Sequence, residues 1–190
     1  ISTLQLTGLD GADTMTGDLS VLAGGVTNLL VDGGEPSASG GVVADSLSLT
    51  VAGNARITQS GDFGSGTVDQ AGAVTVDYTT LEALNIQSNT AGSTLTIRGT
   101  NGGDQIAITP VAGNNNQGRV WINDGTVMTF NTTTDANFGT AVLQGRFGDD
   151  HFSITPIVNV NITAEGNDPT ASDTAVINAV ADTEFEPTSS

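Results

Sequence analysis

The 190-residue chain carries 21 acidic groups against four basic ones, a net charge of −17, together with 25 glycines and no cysteine. Phosphate backbones and anionic membrane surfaces repel such a polyanion, and without cysteine there is no disulfide, thiolate nucleophile or Cys-ligated zinc. All four cations are arginines (Arg56, Arg98, Arg119 and Arg146), which also excludes Schiff-base and P-loop lysine chemistry.

Hydrophobic residues make up 37% of the chain and charged ones 13%, which suits a folded core better than disorder. Aromatics are scarce, so that core must be aliphatic. No apolar run reaches the roughly 18 residues that a membrane-spanning helix needs. The chain opens on Ile1 with nothing resembling a signal peptide, as expected of a mature product or an excerpt of something longer. Along the chain, apolar residues alternate with Thr, Ser, Asn and Asp at residues 4–6, 47–51, 74–76, 95–97, 106–108, 120–122 and 158–162. Short runs of period two, bounded by Gly, Asn or Asp, predict strands joined by turns. The one segment with a helical option, residues 80–86 (TLEALNI), is read as a further strand. The expectation is an all-β chain.

Internal self-similarity is the stronger signal. Residues 6–15 (LTGLDGADTM), 97–106 (IRGTNGGDQI) and 143–152 (LQGRFGDDHF) share the pattern apolar-x-Gly-x-x-Gly-x-Asp-x-apolar. Looser relatives with an insertion between turn and strand cover residues 30–51 and 161–179. A second echo links residues 66–78 with 118–130, each a strand–turn–strand pair. Residues 1–54 and 140–190 run through the same succession of turns and strands, so the chain begins and ends on equivalent parts. Glycine takes positive φ without a Cβ penalty, and Asp accepts bonds from nearby N–H groups, so each motif is at minimum a tight turn that launches a strand.

Those residues carry a resemblance. Gly-x-x-Gly-x-Asp-x-apolar-x resembles the calcium-binding nonapeptide GGxGxDxUx of repeats-in-toxin (haemolysin-type) proteins, with residues 8–16, 99–107 and 145–153 departing from it at the second glycine. More broadly, the acidic, lysine-free strings are similar to repeats of giant bacterial cell-surface proteins of the planctomycete kind, which implies a long β-repeat array. In the toxin family consecutive nonapeptides stack and hold calcium between turns. Here the motifs begin at Gly8, Gly99 and Gly145 and never run back to back, so a complete calcium roll cannot form. The resemblance still implies calcium at individual turns, where carboxylates and carbonyls supply hard oxygen ligands. The candidate ligands are Asp10 with Asp13, Asp32 with Glu35, Asp104, Asp149 with Asp150, and Glu165 with Asp168.

Catalysis finds little purchase. The single histidine, His151, lies in the third motif, but the equivalent positions of the sister motifs are Thr14 and Gln105, the pattern of an exposed side chain. No G-x-S-x-G elbow occurs, and the acids are too dispersed to single out a glycosidase pair. Trp121 is read as core or edge packing, with stacking on a sugar as the alternative, and Arg98 and Arg146 are expected to bond nearby carboxylates.

Two architectures stay open: a parallel β-solenoid of about eight short rungs, and two tandem β-sandwich domains dividing near residues 88–93. The first makes residues 1–190 one repeat-built domain cut from a longer tandem array. The functional expectation is a non-enzymatic, extracellular module of a bacterial surface fibre, layer or adhesin. It would assemble head to tail with copies of itself or adjacent repeats through residues near 1–10 and 175–190, with calcium as stabiliser, and would neither bind nucleic acid nor insert into a membrane. The alternative is a glycan- or protein-binding adhesin module acting through loops at 34–45, 112–118 and 131–137.

Overall fold

The computed structural model describes residues 3–22, 26–34, 45–70, 74–132, 137–168 and 172–178, apart from the Asn115 side chain. The chain is all-β. Its strands, in chain order, are β1 (Thr3–Thr7), β2 (Thr14–Asp18), β3 (Asn28–Asp32), β4 (Ser46–Val51), β5 (Ala55–Gln59), β6 (Gly66–Gln70), β7 (Thr75–Thr79), β8 (Ala83–Ser88), β9 (Ser93–Arg98), β10 (Gln105–Val111), β11 (Asn114–Ile122), β12 (Val127–Asn131), β13 (Phe138–Gln144), β14 (His151–Ile154), β15 (Asn161–Glu165) and β16 (Thr174–Ile177). Among the described residues no helix is long and apolar enough to cross a membrane.

The strands form two eight-stranded sheets. The first runs β1-β3-β7-β6-β5-β9-β13-β15 and the second β2-β4-β8-β12-β11-β10-β14-β16. From β1 to β4 the chain alternates between the sheets, laying one strand on each per circuit, and it does so again from β13 to β16. Neighbours are therefore parallel near both edges, as in Leu4 beside Leu29 and Phe152 beside Ala175. The central pairs β5–β6, β6–β7, β10–β11 and β11–β12 are antiparallel. The two strand–turn–strand echoes of the sequence are β6–β7 and β11–β12, each extended by one more antiparallel neighbour, β5 or β10. One meander fills the middle of the first sheet and the other fills the middle of the second, so parallel circuits and antiparallel meanders coexist in one molecule.

Alternation does the packing. On β4, Leu47, Leu49 and Val51 are buried while Ser46, Ser48 and Thr50 face outward. The same rule on β3, β7, β8, β9, β10 and β13 builds a single aliphatic cluster with Phe130, Phe138 and Tyr78 as its largest rings. The outermost strands bury less: Leu4 is 41% exposed, whereas its register partner Leu29 is 2% exposed. Ile177, on the opposite edge, is 36% exposed.

Residues between β8 and β9 make a tight turn. The buried Ser88 and Ser93 hydroxyls lie 2.9 Å apart, and the Ser93 hydroxyl also donates to the Thr90 carbonyl at 2.6 Å. Strands from both sides of this turn pair with one another, β8 with β12 and β5 with β9.

Candidate functional site

The repeated motif is the crossing from the first sheet to the second. A first-sheet strand ends on a glycine, the chain turns, and an acidic residue sits just before the second-sheet strand. Gly8 faces Asp13, Gly99 faces Asp104, Gly145 faces Asp150 and Gly166 faces Asp173, each so closely that a Cβ would collide with the carboxylate. Oδ2 of Asp13 accepts the Leu9 N–H at 2.9 Å, and Oδ2 of Asp104 accepts the Thr100 N–H at 2.7 Å. The carboxylate thus closes its own turn.

The other oxygen reaches the neighbouring layer. Asp13 donates its backbone N–H to Asp45 Oδ1 at 2.8 Å, and Asp45 donates to Glu82 Oε2 at 2.7 Å. In the second half Asp104 donates to Asp150 Oδ1 at 2.8 Å and Asp150 to Asp173 Oδ1 at 2.9 Å. Two uncharged residues occupy the places between. The Thr126 hydroxyl donates to the Leu81 carbonyl at 3.0 Å, while Asn123 donates from Nδ2 to Asp104 at 2.7 Å and accepts the Gln105 N–H at 2.9 Å. In sheet order Asp13, Asp45, Glu82, Thr126, Asn123, Asp104, Asp150 and Asp173 form one polar column along the edge of the second sheet.

The column is buried in its interior: Asp45 and Asp150 are 1% exposed and Asp104 is fully buried. Desolvation pushes the Asp150 carboxyl above the ordinary carboxylate range, and the charges of Asp104, Asp173 and Asp149 add to that push. The hydrogen bond from the Asp104 N–H opposes it. Among the described residues, Oδ2 of Asp45 and of Asp150 have no hydrogen-bond partner.

Of the residues read from sequence as calcium ligands, Asp13, Asp104 and Asp150 stand in this column. Asp32 ends β3 and accepts from the Thr80 hydroxyl at 2.8 Å and the Gly34 N–H at 3.2 Å, which holds its carboxyl below the usual range. Glu165 accepts from Gln144 Nε2 at 2.8 Å and Asp149 from the Ser172 N–H at 2.9 Å. Asp10 is exposed in its turn, Asp168 is half-buried after β15, and Glu35 lies outside the described residues. Most of these oxygens face N–H, hydroxyl or amide donors, and among the described residues no three acidic or histidine side chains converge as a metal cage would require.

Sequence reading missed Asp45, Glu82, Thr126, Asn123 and Asp173. The Asp-Ser and Asp-Thr strand starts at Asp45 and Asp173 were the available signal. The expected carboxylate partners of Arg98 and Arg146 are absent among the described residues: Arg98 Nε has no partner, and Arg146 Nη1 donates to the Gly99 carbonyl at 3.4 Å. Among the described residues an ion pair joins Arg56 to Asp69 at 2.7 Å. Trp121 lies half-buried on the outer face of β11 with the Arg119 guanidinium 5.3 Å from its ring centre. His151 meets the Thr174 hydroxyl at 2.8 Å. Of the loops expected to bind, residues 35–44 and 133–136 lie outside the described residues, and much of 112–118 belongs to β11.

No protein-family model matches the chain, and neither does any curated protein or solved structure.

Proposed function

We propose that the chain is a non-enzymatic structural module of an extracellular bacterial surface fibre or layer, built as one β-solenoid interrupted by two meanders and stacking end to end. The observation that carries this reading is the complementarity of its two edges. In the parallel layers each turn donates its glycine N–H to a carbonyl of the next layer, as Gly8 does to Asp32 at 2.7 Å and Gly145 to Glu165 at 2.8 Å. Asp13, Asp45, Asp104 and Asp150 likewise donate their N–H groups to the next carboxylate. At the β15/β16 edge the Gly166 and Asp173 N–H groups have no acceptor among the described residues. At the β1/β2 edge the Thr7 carbonyl and Asp13 Oδ1 have, among the described residues, no donor of the kind that inner layers receive. The donors of one edge match the acceptors of the other, and the part-exposed Leu4 and Ile177 would be covered by the same contact.

Calcium enters this reading as an ion that screens the exposed turn carboxylates, not as a caged cofactor. Net charge of −17 opposes the approach of two copies, and a divalent cation at exposed turn carboxylates weakens that repulsion. The extracellular location rests on the resemblance of the turn motifs and on the lysine- and cysteine-free acidic composition.

Eight layers at roughly 4.8 Å give an axial repeat of about 38 Å per copy. Negative-stain microscopy and sedimentation velocity over a concentration series test the proposal. Rods lengthening with that repeat are expected. A single sedimenting species of monomer mass up to the millimolar range sinks the reading.

A further inference from the structure

Beside the uncharged break in the column lies a cleft of about 200 Å³ lined by Gln59, Ser60, Asp62, Phe63, Asn123 and Asp124, with Gly61, Thr100, Ile122 and Gly125 completing it. Four features set it apart from an ordinary surface dent. Phe63 is 60% exposed, a large ring left uncovered in a chain where aromatics amount to 4%. Gln59 is only 5% exposed, its side chain lies against Gly125, and its Oε1 has no hydrogen-bond partner among the described residues. A buried acceptor left unpaired costs stability unless something supplies a donor. The Asp62 and Asp124 carboxylates likewise accept no bond from a described residue.

The fourth feature is rigidity. The loop that carries Phe63 is closed by Ser60 N–H to the Ser65 carbonyl at 3.0 Å, and it is pinned by Leu81 N–H to the Gly64 carbonyl at 2.9 Å. The opposite wall is fixed as well, since Asn123 is held by Asp104 and Gln105 and the Thr100 hydroxyl by Asp104. The floor at Ile122 is buried. The aromatic ring and the free acceptors are thus presented on elements that need little ordering when a ligand arrives.

We propose that this cleft binds one sugar unit of a neutral glycan. A pyranose offers an apolar C–H face and a rim of hydroxyl donors. Phe63 supplies the surface for the first, while the exposed Asp62 and Asp124 carboxylates accept from the second. The volume falls below the roughly 300–1,000 Å³ of sites for drug-sized ligands, which suits a single ring. A negatively charged sugar would meet two carboxylates and is disfavoured. This site is independent of the end-to-end stacking proposed above and lies on different loops from those the sequence pointed to.

The test is titration of ¹⁵N-labelled protein with glucose, galactose, mannose and N-acetylglucosamine into the millimolar range. Saturable shifts confined to the amides of residues 59–63 and 122–125 are expected with at least one sugar. Phe63→Ala should abolish them, and Asp124→Asn should weaken binding about tenfold. Both side chains lie in the cleft lining, so an unchanged amide spectrum outside it checks that each variant folds. The proposal is overturned if none of the four sugars gives a saturable shift, if Phe63→Ala binds as well as the parent, or if calcium chloride alone shifts these amides while no sugar does.

Discussion

Asp104 gives its backbone N–H to Oδ1 of Asp150 at 2.8 Å, joining residues 46 positions apart, and both side chains are buried. The Asp150 carboxylate therefore caps the strand start of the layer beside it, while the Asp104 carboxylate closes its own turn through the Thr100 N–H. Bonds to charged acceptors are about twice as strong as neutral ones, but here like charges are stacked to obtain them.

That compromise predicts a pH dependence. Burial and the flanking carboxylates raise the Asp150 pKa, so the folded state holds this proton more tightly than the unfolded chain. Between the unfolded and folded pKa values the native state binds more protons, and stability from this group falls as pH rises. The cost of ionising Asp150 is fully present above its folded pKa and vanishes below the ordinary carboxylate value. Asp150→Asn keeps an acceptor for the Asp104 N–H and removes the charge. The Tm of the parent minus that of Asp150→Asn should therefore increase as pH is lowered from 7 towards 4. A difference that shrinks on acidification would contradict the assignment. Asp32 acts in the opposite sense, its lowered pKa giving stability that is lost in acid, so the comparison must be made against the variant.

The glycines of the turns predict a steric contrast. Gly145 has no positive φ, yet a Cβ there would overlap the Asp150 carboxyl, whereas the nearest atom to a Cβ on Gly102 is the Thr100 hydroxyl at 3.9 Å. Gly145→Ala should cost about 3 kcal/mol, the upper part of the overpacking range, lowering Tm by roughly 10 °C. Gly102→Ala should be nearly neutral. Chemical denaturation of the two variants measures the difference. Equal stabilities would mean that turns adjust freely around the carboxylate.

How far these relationships could be read from the sequence depends on turn length and strand direction. Asp13, Asp104 and Asp150 follow their glycines at one fixed spacing, so the repeat exposes them. Asp45 and Asp173 serve the same role at longer sequence distances from Gly33 and Gly166, and the spacing rule passes over them. Asn123 is harder still. It follows β11, which runs against its neighbours, and so reaches the column from the far end of a strand. The meanders themselves were visible as two similar strand–turn–strand segments. Their assignment to opposite sheets was not, because it depends on which edge each circuit leaves open. The cleft residues come from three turns distant in sequence, and only the fold brings Phe63 near Asp124.

Calcium should promote association without being required for folding. The exposed turn acids contribute repulsion between copies, and one oxygen each of Asp45 and Asp150 in the column already accepts an N–H from the neighbouring layer. Millimolar calcium chloride should lengthen the rods more than sodium chloride of equal ionic strength, while chelator leaves the monomer's Tm within about 2 °C. A ligand held only by the folded state must raise stability with its concentration. A Tm that climbs steeply with calcium would show a caged site and displace the screening account.

The cross-edge register gives the sharpest test of end-to-end stacking. Thr3 pairs with Asn28 at one edge of the first sheet and Thr140 with Asn161 at the other. Each of these residues lies at the same distance before its turn glycine: Thr3 before Gly8, Asn28 before Gly33, Thr140 before Gly145 and Asn161 before Gly166. Continuing the register places Asn161 of one copy beside Thr3 of the next, both exposed. Neighbouring strands lie about 4.8 Å apart, inside the roughly 4.4–6.8 Å Cα range that a disulfide spans. The native chain has no cysteine to interfere. Under mild oxidation Thr3→Cys/Asn161→Cys should give a ladder of covalent multimers on a denaturing gel, whereas Thr3→Cys alone or Asn161→Cys alone should stop at dimers. Shifting one cysteine to Gln5 should abolish the ladder, because the bond would then have to cross two residues of register. A ladder that is indifferent to this shift would reveal random collision, and the edges would have to be read as solvent-facing.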